Sequence, residues 1–339
     1  MNNKNSKELA TGLAMTAILA VFSKYIGEMI PYHLISAGVF AMLIGMLLHP
    51  YTEKLGCARG LNFVSKKVLK GSIVLMGATL SFSQVLSTGK YSLIVMSFTL
   101  AAAFGFGNLF GRLFHMNWKL SNLISAGTGI CGGSAIAAIA PTIDAEDSDI
   151  AYAISATFIF DIVMVILFPI MGRYFGMSDM GFGLWAGTAV NDTSSVVAAG
   201  YAFSDGAGSY ATIVKLTRTL SIVPVVLIFS YINQRIEAKK SGGAKGRVKV
   251  DIGKIFPWFI VAFLGMVGVK STGIITPELS GVISAVSKFG MIMALGAIGL
   301  KTDFKKVAKS GIMPMVHGFI ISALVVVVSF GVQLALGQL

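Results

Sequence analysis

The sequence predicts an all-α polytopic membrane protein, and three observations carry that prediction. Of the 339 residues, 55% are hydrophobic and 12% are charged, against about 25% charged in a typical soluble domain. Apolar runs near or above the ~18-residue spanning length recur along the chain. These runs are continuous rather than alternating, which argues against a β-barrel.

Eleven candidate spans follow from the apolar runs and the charges that punctuate them: 8–26, 33–49, 67–86, 91–113, 121–141, 150–171, 181–201, 209–231, 255–271, 281–300 and 311–336. The first follows the basic start MNNKNSK without a small-x-small cleavage site, so it reads as a span rather than a signal peptide. Span 33–49 stops before Lys54 and Arg59, 67–86 before Lys90, and 91–113 at Arg112. Span 121–141 begins after Lys119 and contains GTGICGG; 150–171 holds Asp161; 181–201 holds NDTSS; 209–231 holds Lys215 and Arg218. The stretch INQRIEAKKSGGAKGRVKVDIGK (232–254) is basic and carries a Ser-Gly-Gly turn. It reads as a mobile cytoplasmic linker between two helical blocks of one transmembrane domain, 1–339.

Lys and Arg test the topology. With a cytoplasmic N-terminus and eleven crossings, inside segments hold 21 of them and outside segments hold three, Lys24, Lys90 and Lys270. The expected arrangement is therefore a multi-pass protein of the bacterial inner membrane with its C-terminus outside. The formal charge of +12 raises nucleic acid as a partner, but basic residues that only punctuate apolar runs argue against it. Cys57 and Cys131 offer no disulfide framework or metal spacing. His33, His49, His115 and His317 are scattered. No cofactor and no metal is expected; the lipid bilayer is the obligatory partner, and a homodimer is left open.

Two internal likenesses stand out. KGSIVLMGATLSFSQVLSTG (70–89) resembles FGMIMALGAIGLKTDFKKVAKSG (289–311), and the eleven-span topology runs the two in opposite directions, as in inverted-repeat transporters. SAGTGICGGSAIAAIA (125–140) resembles WAGTAVNDTSSVVAAG (185–200): Ala126, Gly127, Thr128, Ser134 and Ala138 match Ala186, Gly187, Thr188, Ser194 and Ala198 at an offset of 60. Eleven crossings make this second pair parallel, so it reads as convergence on one composition facing one cavity.

Gly127, Gly129, Gly132 and Gly133 each cost about 1 kcal/mol in a helix interior, so an unbroken helix is not expected there. Broken backbone at membrane depth survives only where protein or a water-filled cavity satisfies it, and half-helix N-termini attract anions. Thr128, Cys131 and Ser134 lie in the same stretch. The alternative for these residues is close helix packing through small side chains. The run Asn191, Asp192, Thr193, Ser194 and Ser195 favours a site, because a carboxylate at bilayer depth costs at least ~2.5–3.5 kcal/mol. Lys215 and Arg218 share a helical face; they neutralise Asp192, bind an anion, or snorkel to an interface. Asp161 and Asp192 are the ion-coupling candidates, for a proton or sodium. Lys301, Thr302 and Asp303 stand at a span end, and Glu28 near the outer face reads as solvated. Ser134 with His317 is a weak serine-protease dyad, the rest of that signature being absent; the expectation is no enzyme.

GTGICGGSAIAAIAP, WAGTAVNDTSSVVAAG, KLTR (215–218) and GAIGLKTDF (296–304) resemble, in order and spacing over nearly the whole chain, the YeiH family of bacterial inner-membrane proteins, commonly labelled putative sulfate exporters. Departures stand at Asn191 and Ser195, where that family often has His and Gln. The resemblance implies a fold like that of sodium–proton antiporters and bile-acid transporters, with two inverted repeats and discontinuous helices crossing at mid-membrane. On that analogy 121–141 and 281–304 form the crossing pair, whereas the likeness of 70–89 to 289–311 pairs spans three and ten. The expected function is secondary transport of a small anion, sulfate-like or organic, by alternating access. Gly127–Ser134 and Asn191–Ser195 would form facing halves of the site. The alternatives are a proton- or sodium-coupled cation antiporter and an anion channel.

Overall fold

Among the described residues of the computed structural model, six helices are long and apolar enough to cross a membrane: Asn5–Ile26, Phe82–Leu113, Ser148–Tyr174, Asp205–Ile236, Pro277–Lys301 and Ile312–Ala335. Shorter apolar helices lie between them. The structure describes residues 3–29, 37–240, 256, 258–302 and 312–339, and every regular element among these is helical.

One helical group contains α1 (Asn3–Met29), α2 (Ala37–Leu55), α3 (Ala58–Phe63), α4 (Leu69–Met76), α13 (Trp258–Ser271) and α14 (Pro277–Lys301). A π-helical turn, Val64–Val68, joins α3 to α4. Glycine lets α1 and α3 touch: a Cβ on Gly12 would fall 2.5 Å from Gly60 Cα. Hydroxyls tie α14 to α4 and the turn after it, Ser287 Oγ donating to Ser72 O (2.7 Å) and Ser280 Oγ to Ala78 O (2.9 Å). The likeness of 70–89 to 289–311 thus joins two helices that pack together, although residues 303–311 lie outside the described residues.

The second group contains α5 (Phe82–Leu113), α6 (Trp118–Ala126), α7 (Gly133–Ile139), α8 (Asp147–Tyr174), α9 (Asp179–Ala189), α10 (Thr193–Phe203), α11 (Asp205–Thr219), α12 (Ile222–Lys240) and α15 (Ile312–Ala335). Side-chain caps fix several starts. Ser81 and Gln84 form a capping box on α5, Asn117 caps α6, Ser178 caps α9 and Ser204 caps α11. The kink between α11 and α12 falls at Leu220, four residues before Pro224, whose ring displaces the carbonyl at that spacing. The two groups meet through apolar side chains: Val197, Ile213 and Leu216 pack on Ile73, Met76 and Met291, and Ala198 and Val165 on Met42 and Leu295.

The expected crossings at 121–141 and 181–201 are not crossings. Each is a helical hairpin that returns to the end from which it came. In the first, α6 runs into a π-helical turn, Gly127–Cys131, and the chain reverses at Gly132 (φ 63°, ψ −133°) into α7. Its ends meet: Lys119 Nζ donates to Asp144 O at 2.6 Å, and Asn117 Nδ2 to Asp149 Oδ2 at 3.5 Å. In the second, α9 and α10 are joined by Val190, Asn191 and Asp192. Phe182 at its entry stacks on Phe203 at its exit (centroids 4.1 Å apart), and Ser204 Oγ donates to Asp179 Oδ1 at 2.6 Å. Arms of 11 residues each rise only about 17 Å, roughly half the hydrocarbon thickness.

The hairpins open at opposite ends. The mouth of the first adjoins the start of α8 at Asp149, and that of the second adjoins its end, where Arg173 Nη2 donates to Ala202 O at 2.8 Å. Between them lie the 28 residues of α8, about 42 Å of helix. The expected linker is corrected as well, since residues 232–240 continue α12; residues 241–254 lie outside the described residues. The expected crossing pair 121–141 with 281–304 is replaced by 121–141 with 181–201, for α14 is continuous from Pro277 to Lys301.

Hairpins and crossings differ in a direct measurement. In sealed, oriented vesicles an impermeant thiol reagent should label Lys119→Cys and Glu146→Cys from one face, and Asp179→Cys and Asp205→Cys from the other. Eleven simple crossings would put residues 119 and 146 on opposite faces.

Candidate functional site

The tips of the two hairpins touch. A Cβ on Gly132 would lie 3.2 Å from both Cβ and Oδ1 of Asp192. Each tip leaves helix-end backbone groups without intrahelical partners, in a place where water is scarce. Four buried or half-buried ionisable side chains supply those partners.

The cations hold the carbonyl ends. Lys215 Nζ donates to Ile130 O (2.8 Å) and to Val190 O (3.0 Å), the matching carbonyl of each hairpin at the offset of 60. Arg218 Nε donates to Gly129 O (2.6 Å), one terminal nitrogen to Thr128 O and the other to Val190 O (3.3 Å). Both side chains are 0% exposed, so neither snorkels. Positive charge at a helix C-terminus also opposes the negative end of its dipole.

The carboxylates hold the amide end of the second tip. Asp161, at the middle of α8 and 1% exposed, accepts from Asn191 N at 2.9 Å and from Asp192 N at 3.0 Å, one amide per oxygen. Asp192 is the N-cap of α10: its Oδ2 accepts from Ser194 N (2.8 Å) and from Ser194 Oγ. Among the described residues no ion pair joins either cation to either carboxylate. Neutralisation of Asp192, one of the alternatives for Lys215 and Arg218, thus involves no direct ion pair among the described residues, because each charge binds backbone of the complementary polarity.

Helix α15 braces both hairpins with hydroxyls that the sequence reading missed. Thr128 Oγ1 and Ser322 Oγ lie 3.3 Å apart, and Thr188 Oγ1 and Ser329 Oγ lie 2.6 Å apart. Asn191 Nδ2 donates to Ser322 Oγ (3.3 Å) and Thr157 O (3.4 Å), while its buried Oδ1 has no donor. The signal for Ser322 and Ser329 was available: two hydroxyls seven residues apart share a face of a helix that is otherwise strongly apolar. Glycines fit the second hairpin to α11, since a Cβ on Gly187 would lie 2.6 Å from Val214 Cβ.

The remaining sequence candidates divide. Gly127 and Gly129 are buried against Ile136, Thr157 and Ala103, which is a packing role. Cys131 is buried in an apolar cluster with Ile130 and Ala135. Ser195 is buried, and Thr193 is half-buried. Gly133 has open space at its Cβ position, and Ser134 is exposed. Thr193, Ser195 and Ser134 make no side-chain hydrogen bond among the described residues. His317 pairs with Ser121 Oγ (3.3 Å) and Gly107 O (3.0 Å) on the mouth side of the first hairpin, more than a helical turn along α15 from Ser322 and the tips. Lys301 donates to Ser65 Oγ (3.2 Å) and Thr302 to Ile298 O (2.8 Å), both within the first group. Asp303 and the Glu28 side chain lie outside the described residues.

The family model for Conserved hypothetical protein 698 matches residues 11–318. A UPF0324 membrane protein of Clostridium tetani is 68% identical over 98% of this chain and 99% of its own length. One from Streptococcus pneumoniae serotype 4 is 39% identical over 96% and 97% of the two chains, and one from Fusobacterium nucleatum 37% over 99% of both. The chain belongs to this family of membrane proteins, which is also the YeiH family that its motifs resemble.

Backbone satisfaction makes two substitutions informative. Arg218→Met orphans the Thr128 and Gly129 carbonyls, each at about 1–3 kcal/mol, and should lower the unfolding temperature in detergent. Gly132→Ala puts a side chain where the backbone geometry excludes one, at about 1–3 kcal/mol, and should lower it as well. Ser134→Ala, in the same segment but exposed, should leave it within a degree or two.

Proposed function

We propose that this chain is a secondary transporter that carries a small anion across the bacterial cell membrane by alternating access. The observation that supports this most is the meeting of two re-entrant tips, opened to opposite ends, around two buried cations and two carboxylates. Irregular backbone at membrane depth is a feature of transporter sites, and an intramembrane charge is a functional candidate by default. Here four such groups converge.

Charge balance supports a coupled cycle. With all four groups ionised, Lys215 and Arg218 cancel Asp161 and Asp192. A proton or sodium ion on either carboxylate leaves one unit of positive charge at the tips. At about 4 Å and an effective dielectric near 20, that unit attracts an anion by about 4 kcal/mol. Anion and coupling cation then bind together. In this reading α5 with the first hairpin and α8 with the second form an inverted pair. The other nine of the eleven expected spans cross, the N-terminus is cytoplasmic and the C-terminus is outside. The apolar contact between the helical groups suits a surface that slides. At the mouth of the second hairpin it contains a cavity of about 140 Å³ between Val197, Ala198 and Tyr201 on one side and Met291 and Leu295 on the other. Lys288 and Asp205, 2.7 Å apart, link the groups there.

A second reading, a proton- or sodium-coupled cation antiporter, is favoured by one observation. The Asn191 Oδ1, without a donor among the described residues, is a further acceptor on the residue whose backbone amide Asp161 binds, as a cation site would need.

Flux into proteoliposomes separates the two. Uptake of sulfate or a small organic monoanion should follow an imposed proton or sodium gradient. It should fall on the order of tenfold or more in Lys215→Met, since losing a buried charge costs several kcal/mol. Ion movement that persists at full rate with no transportable anion present would support the antiporter instead.

A further inference from the structure

We propose that the cavity between α5, α6 and α12 binds an anionic phospholipid, with an acyl chain in the cavity and the phosphate on Arg112. This site lies at the mouth of the first hairpin, away from the tips, and does not rest on the transport reading. Its volume of about 520 Å³ falls within the range of roughly 300–1,000 Å³ usual for small-molecule sites.

The wall is apolar in effect as well as in composition. Phe104 and Phe229, with ring centroids 5.6 Å apart, form one side, and Val225, Ile228 and Ile232 continue it along α12. The amide and hydroxyl groups in the wall are already spent. Asn108 and Asn122 bond each other reciprocally, Nδ2 to Oδ1 at 3.3 Å each way, and their amides also donate to Phe104 O and Trp118 O, both at 2.8 Å. Ser121 Oγ donates to Gly107 O at 2.9 Å.

Two groups are exceptions, the Trp118 indole N–H and Arg112, and Arg112 carries the charge. Arg112 lines the same cavity, is exposed, and its guanidinium makes no hydrogen bond or ion pair among the described residues. It stands in the last turn of α5, where that helix would leave the membrane. Both α5 and α12 belong to candidate spans, and Ile228 and Ile232 remain 54% and 37% exposed on the outer surface. The cavity therefore opens sideways toward the bilayer, with one unpaired cation at its polar end. The occupant this fits has a long apolar body and an anionic head, and a bilayer supplies it as anionic phospholipid. A second copy of the chain fits less well. One turn of helix about 10 Å across takes up roughly 420 Å³, so the cavity would seat little more than a single turn.

Native mass spectrometry of the full chain, purified and exposed to mixed micelles of phosphatidylglycerol or phosphatidylcholine, tests this. Wild type should retain phosphatidylglycerol in preference. Arg112→Ala should remove about fivefold of that preference, as expected for one basic residue at the membrane surface, and Arg112→Lys should keep most of it. Ile232→Trp, which narrows the cavity, should lower retention of the bound lipid while leaving the elution profile unchanged. Equal retention of the two lipids by wild type, or by wild type and Arg112→Ala alike, overturns the proposal. A shift from dimer to monomer in Ile232→Trp without lipid loss also overturns it, by making the cavity a subunit contact.

Discussion

The rest of the structure depends on how the chain satisfies backbone groups that it strips of helix partners at membrane depth. Two hairpins end at the centre of the molecule, and each tip exposes carbonyls on one side and amides on the other. In a bilayer each such group left bare costs several kcal/mol. Lys215 and Arg218 serve carbonyls of both tips; Asp161 and Asp192 serve the amides of the second. Placing four ionisable groups in a buried or half-buried site is itself expensive, and among the described residues no direct ion pair between them offsets that cost. What offsets it is a set of charge-assisted hydrogen bonds, each matched in sign to a helix end. Removing one charge would therefore disturb both the tips and the balance among the other three.

The same constraint explains why these helices lie where they do. Asp161 reaches the second tip because it sits halfway along α8, and the tip stands halfway because its arms are only 11 residues long. Lys215 reaches both tips because α11 packs against the arm α9, an approach that Gly183 and Gly187 permit. Within a bilayer this association is driven by close packing and hydrogen bonds rather than by exclusion of water. The paired hydroxyls Thr128–Ser322 and Thr188–Ser329 repeat one contact at two levels of α15.

Much of this was legible in the sequence, and one error shows what was not. Composition was enough for the helical class, and GTGICGG, NDTSS and KLTR marked the residues that converge. Yet 121–141 and 181–201 were read as crossings, because 21 residues of apolar character suffice to span and hydropathy does not register a reversal. Counting Lys and Arg could not expose the mistake. Two false crossings cancel in the alternation, so every basic segment after the second hairpin keeps its side and only Arg173 changes. The clue was the offset of 60 between the two stretches. Taken as convergence, it appeared to break the inverted pattern; with both segments folded as hairpins, it relates two units that open to opposite ends. Ser322 escaped notice for a simpler reason: its spacing from Ser329 marks a shared helix face but gives no hint of which neighbours that face will join.

The likeness between the hairpins fails at one informative place. At the offset of 60, Asp192 corresponds to Gly132, and these are the residues that touch. A carboxylate at both positions would bring two negative charges to within about 4 Å, a repulsion of about 4 kcal/mol at an effective dielectric near 20. Glycine at 132 avoids that charge and also accepts a φ of 63°, where a side chain is strained. Strict symmetry at the tips is thus electrostatically unfavourable. The tip that keeps its carboxylate is the one whose amides Asp161 also binds. Both acidic groups consequently belong to the second hairpin, while Arg218 gives two of its three bonds to carbonyls of the first. Two similar segments thereby acquire different chemistry, acidic on one side and cation-braced on the other.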